Sequence, residues 1–259
     1  MWSTYWIGRR NAARVQVRTN DVVSTRLPAS FDRFTILQLS DLHVDMSPLA
    51  MQSVIDLVKD LTFDICVLTG DYRAKTYGAI QPCLIEMARV REVLGETVYG
   101  VLGNHDTIRM VPDLERMGIT MLLNECVVLE RGADHFHIAG IDDAHFYRVD
   151  NIERAAARIP DEVFSILLSH TPEIYRQATH TGFDLLLSGH THGGQICLPG
   201  GIPIMLDSNL PRAFGSGAWK YGNMSGYTSV GAGSCIAPVR FNCPPEITLH
   251  RLHRADKTN

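Results

Sequence analysis

The chain has 259 residues and a formal net charge of −4, from 24 Lys and Arg against 28 Asp and Glu. Hydrophobic residues make up 45% of it and charged residues 20%, which is ordinary for a globular protein with a normal core. The acidic balance argues against a general nucleic-acid binder, which needs a basic surface, so we expect no such partner. No stretch approaches the roughly 18 consecutive apolar residues of a membrane-spanning helix.

The first twenty residues differ from the rest because they contain four arginines and no acidic residue. This segment combines aromatic and basic side chains: Trp2, Tyr5, Trp6, Arg9 and Arg10. We interpret residues 1–30 as an N-terminal arm with a first strand, ahead of a single domain over residues 31–259. The alternative is a peripheral contact with an anionic membrane surface, where aromatic rings lie at headgroup depth.

The six cysteines are scattered and include no Cys-x-x-Cys pair, so the sequence does not predict a structural zinc site. Cys235 and Cys243 are close enough in sequence to pair, but we expect them to stay reduced. This usage is typical of a reducing compartment. We therefore expect a cytoplasmic protein, with the periphery of the inner membrane as the alternative that the N-terminal arm suggests.

In the first half of the chain, predicted strands alternate with predicted helices. Apolar runs indicate strands over residues 34–40, 64–69 and 98–102, and helical spacing of apolar residues indicates helices over 48–61, 80–94 and 111–117. This alternation is typical of βαβ units and of a partly parallel sheet.

The second half begins with consecutive predicted strands joined by short turns, over residues 120–124, 126–130 and 136–141. Further elements follow in this order: a helix over 152–158, a strand over 164–169, a helix over 173–179 and a strand over 183–187. A Gly/Pro-rich loop over 193–217 is long enough to be functional or mobile, and strands over 227–231 and 247–252 end the chain. Two sheets packed face to face and flanked by helices fit this order.

Five predicted strands end in polar clusters. The clusters are Asp41-Leu42-His43, Gly70-Asp71, Gly103-Asn104-His105-Asp106, Ser169-His170 and Gly189-His190-Thr191-His192. Because the carboxyl ends of parallel strands gather at one edge of a sheet, we expect these clusters to converge. A single Asp or His at a strand end is more often a turn or cap residue, but that explanation does not account for five clusters.

The clusters supply seven candidate metal ligands, namely Asp41, His43, Asp71, Asn104, His170, His190 and His192. Seven donors are too many for one tetrahedral zinc ion, and they suit two metal ions about 3.5–4 Å apart that share a ligand. A carboxylate with two usable oxygens is the natural bridge, and Asp71 is alone at its strand end. Mixed oxygen and nitrogen donors indicate manganese, iron or zinc.

This order of motifs resembles the calcineurin-like metallophosphoesterase superfamily. Gly-His-Thr-His-Gly-Gly-Gln at 189–195, with Pro-Pro-Glu at 244–246, looks most like its bacterial phosphodiesterase branch. The resemblance implies an α/β fold, a four-layer α/β/β/α sandwich of two mixed sheets flanked by helices. It also implies one ion held by Asp41, His43, Asp71 and His192, and another held by Asp71, Asn104, His170 and His190. It implies that His105 is the catalytic histidine.

The expected activity is hydrolysis of phosphodiester bonds by two divalent transition-metal ions. Two cations lower the pKa of a shared water to give a bridging hydroxide near neutral pH, and they offset the charge of the transition state. His105, next to Asn104, is the candidate general acid for the leaving group, and we expect Asp106 to orient it. With His105, Asp71 and Asn104 are the candidate catalytic residues.

The candidate substrate contacts are Asn104, Tyr72 and Arg240, and the expected substrate is a small phosphodiester or a phospholipid-related molecule. The apolar residues of the loop over 202–210 either contact a lipid or pack on the domain, and we favour packing. We expect His135, His137 and His145 to be surface or core histidines, because they lack ligand spacing.

Two alternative functions stay open. One is a pyrophosphatase or phosphomonoesterase acting on a nucleotide-sugar lipid precursor such as UDP-2,3-diacylglucosamine. The other is a non-catalytic metal-binding scaffold for interactions. A scaffold is expected to lack part of the ligand set, whereas all seven donors and His105 are present here.

Overall fold

Two six-stranded mixed sheets form the centre of the structure, a computed structural model that describes residues 2–256. The helices are α1 (Trp2–Ala12), α2 (Pro48–Lys59), α3 (Gln81–Arg91), α4 (Val111–Arg116), α5 (Ile152–Ala156) and α6 (Tyr175–Thr181). The strands are β1 (Gln16–Ser24), β2 (Thr35–Leu39), β3 (Ile65–Leu68), β4 (Val98–Gly100), β5 (Thr120–Met121), β6 (Glu125–Arg131), β7 (Asp134–Gly140), β8 (Ser165–Leu168), β9 (Leu185–Ser188), β10 (Cys197–Leu198), β11 (Ile202–Pro203), β12 (Gly217–Tyr221), β13 (Met224–Thr228) and β14 (Glu246–Arg254).

The first sheet has the strand order β1-β14-β2-β3-β4-β5, and the second has the order β12-β13-β9-β8-β7-β6. Strands β2 to β5 are parallel to one another, while β14 runs antiparallel to β2. In the second sheet β7, β8, β9 and β13 are parallel, and the outer strands β6 and β12 are antiparallel to their neighbours. Each sheet therefore has a parallel centre, which brings strand carboxyl ends to a common edge.

Three apolar clusters separate four layers. Ile36 of β2 and Phe136 of β7 belong to the cluster between the two sheets. Leu37 and Leu39, which alternate with Ile36 along β2, face the opposite way and pack with residues of α2, α3 and α4. On the outer side of the second sheet, apolar residues of α5 and α6 complete the third cluster. The α/β/β/α sandwich expected from the sequence is confirmed.

Most predicted strands and helices correspond to observed ones, with ends that differ by a few residues. The N-terminal arm contains a helix, α1, that the sequence did not predict. Strand β1 then pairs in parallel with β14 over nine residue positions, so it is part of the first sheet. The predicted loop over residues 193–217 includes the short antiparallel pair β10 and β11. Among residues 2–256, no helix is both long enough and apolar enough to cross a membrane.

The helix α1 was missed because only a narrow side of it packs on the domain. Gly8 and Ala12 are buried, whereas Tyr5, Trp6 and Ile7 are exposed. A pattern with exposed aromatic residues and few buried ones does not have the broad apolar stripe by which an amphipathic helix is recognised.

Aromatic packing between the sheets generates a stability prediction. The ring of Phe136 lies 4.7 Å from that of Phe31 and 5.9 Å from that of Phe164, measured between centroids, and its side chain is fully buried. We expect Phe136→Ala to lower the free energy of unfolding by about 3–5 kcal/mol, because the cavity cannot close between two rigid sheets. The measurement is urea unfolding. The control Val128→Ala, at an exposed position of β6, should cost less than about 1 kcal/mol; equal losses would contradict the proposed core.

Candidate metal centre

The seven predicted ligands lie together where the carboxyl ends of the two sheets meet. Asp41 and His43 follow β2, Asp71 follows β3 and Asn104 follows β4. From the second sheet, His170 follows β8, and His190 and His192 follow β9. The backbone N–H of His190 donates to both carboxylate oxygens of Asp41, at 3.1 Å each, so the two sheets are joined at this edge.

One group of donor atoms surrounds Nε2 of His192. This nitrogen is 3.2 Å from Nε2 of His43 and 3.5 Å from a carboxylate oxygen of Asp41. Nε2 of His43 is in turn 3.6 Å from Oδ2 of Asp71. Ligand atoms that each lie about 2.1 Å from one ion are separated from each other by about 3–3.5 Å, so these spacings suit a shared cation.

A second group surrounds Oδ1 of Asn104. This oxygen is 2.9 Å from Nε2 of His170 and 2.9 Å from Nδ1 of His190. Nε2 of His170 is also 3.5 Å from Oδ2 of Asp71, the same carboxylate oxygen that approaches His43. One oxygen of Asp71 therefore lies between the two groups of donors.

The backbone at the ligands is strained. Five non-glycine ligands have positive φ angles, namely Asp41 (49°), His43 (40°), Asp71 (56°), His190 (73°) and His192 (49°). Left-handed conformations are uncommon for such residues, cost of order 1–3 kcal/mol each, and cluster at functional sites. Here they turn the chain sharply after each strand and direct successive side chains into one small volume.

Two of the imidazole rings, those of His43 and His170, are oriented for ligation by hydrogen bonds on the side away from the site. Nδ1 of His43 is 2.8 Å from the carbonyl of Arg73, and Nδ1 of His170 is 2.8 Å from the carbonyl of Thr69. Carbonyl oxygens accept from these nitrogens, so in the neutral ring the lone pair is on Nε2, which faces the site. Metal-binding histidines typically have such a partner.

The electrostatics also suit a cation. Burial lowers the pKa of His43, and burial with neighbouring positive groups lowers the pKa of His192 and that of His190, the latter to about 3. These rings are therefore neutral and able to donate a lone pair. Burial by itself would lower the pKa of His170, but Asp71 and Asp41 raise it to about 10. A divalent ion takes the place of such a proton when it binds. The residues present therefore fit a site for divalent ions.

The carboxylate of Asp106 holds the loops after β3 and β4 together. Its oxygens accept from the backbone N–H groups of Asp71 and Gly103 at 2.8 Å and from that of Tyr72 at 3.0 Å. No hydrogen bond joins it to His105 among the contacts of the described residues, so the expectation that Asp106 orients His105 is wrong. Asp106 is three residues after Gly103 in sequence, and its carboxylate folds back to the N–H of that glycine. In this position it also fixes the backbone of Asp71.

His105 lies at the floor of an open cleft of about 450 Å³, beside the proposed ligands. Its backbone N–H donates to Oδ1 of Asp71 at 2.8 Å, and its Nε2 is 3.9 Å from Oδ2 of the same carboxylate. Its side chain is 19% exposed, so it can reach a molecule in the cleft. Asn104, His190 and His192 also line this cleft.

Comparison with known proteins identifies the family. The family model for the calcineurin-like phosphoesterase matches residues 34–194, which is more than half of the chain. The chain belongs to the calcineurin-like phosphoesterase family. It is 31% identical over 254 residues to the Bacillus subtilis metallophosphoesterase YkoQ, covering 94% of this chain and 92% of that protein. It is 28% identical to the Escherichia coli phosphodiesterase YaeI, covering 85% of this chain and 82% of that one.

A solved structure supports the fold of this phosphoesterase. The sulfate thiohydrolase SoxB of Thermus thermophilus superposes with a TM-score of 0.53 at 14% sequence identity, covering 88% of this chain and 57% of that one. At this identity the likeness concerns the fold alone. Family membership makes the chain a metal-dependent phosphoric ester hydrolase.

Two predicted substrate contacts, Tyr72 and Arg240, have buried side chains that do not line the cleft. Tyr72 is fully buried in the core between the first sheet and its helices, and its hydroxyl donates to the carbonyl of Val101. Arg240 is also fully buried, and its guanidinium donates to the carbonyls of Val230 and Gly233. A buried charge needs such partners. Of the three predicted contacts, Asn104 alone lies in the cleft.

Arg240 instead packs behind the ring of His192. One of its nitrogens lies 3.2 Å from Nδ1 of His192, on the ring edge away from the site. Its carbonyl contacts come from residues 230–243, so it fixes that segment against His192. Sequence reasoning identified a basic residue near the site but had no signal for its burial.

Two further side chains near the phosphoesterase centre were missed. The thiol of Cys235 is free and lies within 4.8 Å of ligand atoms of His43 and His192. The ring of His145 lies 4.2 Å from that of His190, and its Nδ1 pairs with a carboxylate oxygen of Glu173 at 2.8 Å. Neither a lone cysteine nor a lone histidine in a loop gives a sequence signal for this position.

The His145–Glu173 pair connects the site to the loop over residues 205–210. The hydrogen bond to His145 lowers the pKa of Glu173 to about 2, and the same bond raises the pKa of His145. The other oxygen of Glu173 accepts from the hydroxyl of Ser208 and from the backbone N–H of Asn209. This carboxylate therefore anchors the loop that forms one wall of the cleft.

A second cleft of similar size, about 470 Å³, lies between residues 153–161 and 180–183. The guanidinium of Arg26, which lines this cleft, already binds Asp184 and the carbonyl of Val163. It contains none of the predicted ligands, so the cleft beside His105 is the candidate site of this phosphoesterase.

The role of Asp106 generates a testable prediction. We expect Asp106→Asn to reduce bound metal by more than half, because an amide has one acceptor oxygen and turns an N–H₂ toward buried N–H groups. Each N–H left unpaired costs about 1–3 kcal/mol, so unfolding should also occur at lower urea. Element analysis and urea unfolding measure both effects. The surface control Asp113→Asn, which breaks only an exposed pair with Arg116, should keep full metal; unchanged metal in Asp106→Asn would contradict this role.

Proposed function

We propose that this protein hydrolyses phosphodiester bonds with two divalent transition-metal ions. The observation that carries the proposal is the shared Oδ2 of Asp71, which lies 3.6 Å from His43 and 3.5 Å from His170. Asp41, His43, Asp71 and His192 would hold one ion, and Asp71, Asn104, His170 and His190 the other. Manganese, iron and zinc all suit these oxygen and nitrogen donors. The relative YaeI is named a phosphodiesterase, which supports a phosphodiester as the substrate.

When bound, the two ions supply an acidified water as nucleophile and neutralise charge on the phosphate. The protein's own residues do the rest. Asn104, at the cleft surface, positions the phosphate beside His105. His105 is tied through its backbone N–H to Asp71, so its ring is fixed about 4 Å from the bridging oxygen. From there His105 donates a proton to the leaving alkoxide, which is a poor leaving group without it.

The apolar side chains at the opening of the cleft are also compatible with the first alternative function, a pyrophosphatase or phosphomonoesterase. Ile204, Met205 and Ile236 line the cleft, which suits a substrate with an apolar part such as a nucleotide-sugar lipid precursor. A pyrophosphatase or phosphomonoesterase on such a molecule would use the same ligands. A screen of alkyl diesters, monoesters and pyrophosphates with Mn²⁺, Fe²⁺ and Zn²⁺ distinguishes these reactions. Bound metal without turnover in any class would instead indicate a scaffold.

Metal content is the first test. We expect close to two ions per chain by element analysis after reconstitution with Mn²⁺. Asp71→Asn should lose most of the metal and the hydrolysis of bis(4-nitrophenyl) phosphate together, because both ions share that carboxylate. Asp113→Asn serves again as the control. If Asp71→Asn retains two ions and full turnover, Asp71 is not the bridge.

The role of His105 is tested by the leaving group. His105→Ala should keep its metal ions and lose about 10²–10⁴-fold in kcat on an alkyl diester, which is the usual contribution of general acid catalysis. The loss on bis(4-nitrophenyl) phosphate should be much smaller, because nitrophenolate leaves without a proton. An equal loss on both substrates would rule out proton donation by His105.

A further inference from the structure

Four exposed apolar side chains line the cleft, and two more exposed ones face each other in the adjoining pair of strands β10 and β11. We call them the apolar rim: Ile196, Leu198, Ile202, Ile204, Met205 and Ile236. The most exposed are Ile236 at 94%, Met205 at 75% and Ile204 at 60%. The expectation that the apolar residues of the 202–210 loop pack on the domain is therefore wrong for its first part. A contiguous exposed apolar patch of this kind marks an interaction surface.

The protruding position of Ile236 is built into the fold. Its φ angle is 64°, a left-handed value that is rare for a β-branched residue. Gln195 holds the flanking backbone on both sides. Its side-chain oxygen accepts from the N–H of Cys235 at 2.7 Å, and its Nε2 donates to the carbonyls of Cys235 and Ala237 at 2.9 and 3.1 Å. The strained conformation keeps an apolar side chain in water beside the site.

One backbone segment contacts both the rim and the N-terminal helix α1. The backbone N–H of Phe241 donates to the carbonyl of Gln195, and the carbonyl of Phe241 accepts from Cys197 at the base of the rim. The adjacent residue Arg240 donates its N–H to the carbonyl of Gly8 in α1, at 3.0 Å. The segment around residues 240–241 therefore lies between the rim and α1 and contacts both.

The exposed side of α1 combines aromatic and basic side chains. A Cβ on Gly8 would lie 2.7 Å from the ring of Phe241, so this glycine allows the helix to pack closely. Trp6 is 58% exposed, and Tyr5 and Ile7 are exposed beside it. The guanidinium of Arg9 lies 5.6 Å from the centroid of the Trp6 ring, within cation–π range. The helix has no acidic residue.

We propose that the apolar rim and α1 form one docking surface for an anionic lipid bilayer, with the mouth of the metal cleft at the headgroup level. Exposed Trp and Tyr with arginines suit the membrane interface, and apolar side chains on adjoining loops suit the acyl boundary below it. The arginines match anionic headgroups in charge. A substrate of such a site is an amphiphilic phosphoester whose apolar chain stays in the bilayer; this last clause alone rests on the proposed function.

The test is flotation of the full chain with vesicles of neutral phosphatidylcholine, and of phosphatidylcholine with phosphatidylglycerol. We expect binding to the anionic vesicles that weakens as salt is raised, and weaker binding to the neutral ones. The double variant R9A/R10A should bind anionic vesicles about 25-fold more weakly, from about fivefold for each arginine. No binding to either vesicle would overturn the proposal.

The rim is tested by Met205→Asp and Ile236→Asp. Each should weaken vesicle binding at least tenfold, because a carboxylate enters neither the acyl boundary nor an anionic surface. The control is Ile85→Asp, at an isoleucine on α3 that is 62% exposed, and this variant should bind vesicles as the parent does. Rim variants that bind like the parent would overturn the proposal, as would an Ile85→Asp variant that binds as weakly as they do.

Two further measurements separate this proposal from its competitors. Light scattering gives the oligomeric state, and a dimer that Ile236→Asp converts to a monomer would make the rim a self-association surface and overturn membrane docking. Turnover of bis(4-nitrophenyl) phosphate by the parent, without vesicles, tests the proposed reaction independently. Turnover without vesicle binding would overturn the docking proposal alone. Vesicle binding without turnover would overturn the proposed reaction alone.

Discussion

The metal centre depends on sharp left-handed turns immediately after the parallel strands of both sheets. Asp41, Asp71 and His190 each have a positive φ angle at such a turn, and the chain keeps these conformations because buried hydrogen bonds fix the loops on every side. Asp106 is the main fixing group of the first sheet. A rigid frame of this kind holds the donor atoms together before a cation arrives, so little is lost in ordering them when it binds.

The two sheets contribute differently to one site. The first sheet supplies the two carboxylates, the amide and the imidazole of His43, which follow three adjacent parallel strands, while the second supplies three imidazoles from two strands. The contact between them is direct, since His190 donates its backbone N–H to the carboxylate of Asp41. The aromatic core between the sheets therefore matters for function, because any shift of one sheet over the other changes the distances between ligands.

The polarity of the cleft changes from its floor to its mouth. The floor carries His105 and the metal-binding side chains, and the mouth carries exposed isoleucine and methionine. Gln195 links the two levels, because it lies three residues after His192 and its side chain holds the segment that carries Ile236. The local sequence that forms the metal site thus also positions the surface through which a substrate must pass.

Sequence alone determined the layered fold and the gathering of the candidate ligands, since both follow from local patterns: apolar runs form strands, and donor residues directly after parallel strands gather at one edge. Tertiary structure decided which polar and apolar side chains reach the cleft. Tyr72 directly follows Asp71 in sequence yet is buried, and so is Arg240, whereas Cys235, His145 and Ile236 reach the site from distant loops. Burial depends on packing between segments far apart in the chain, and no local pattern contains that information.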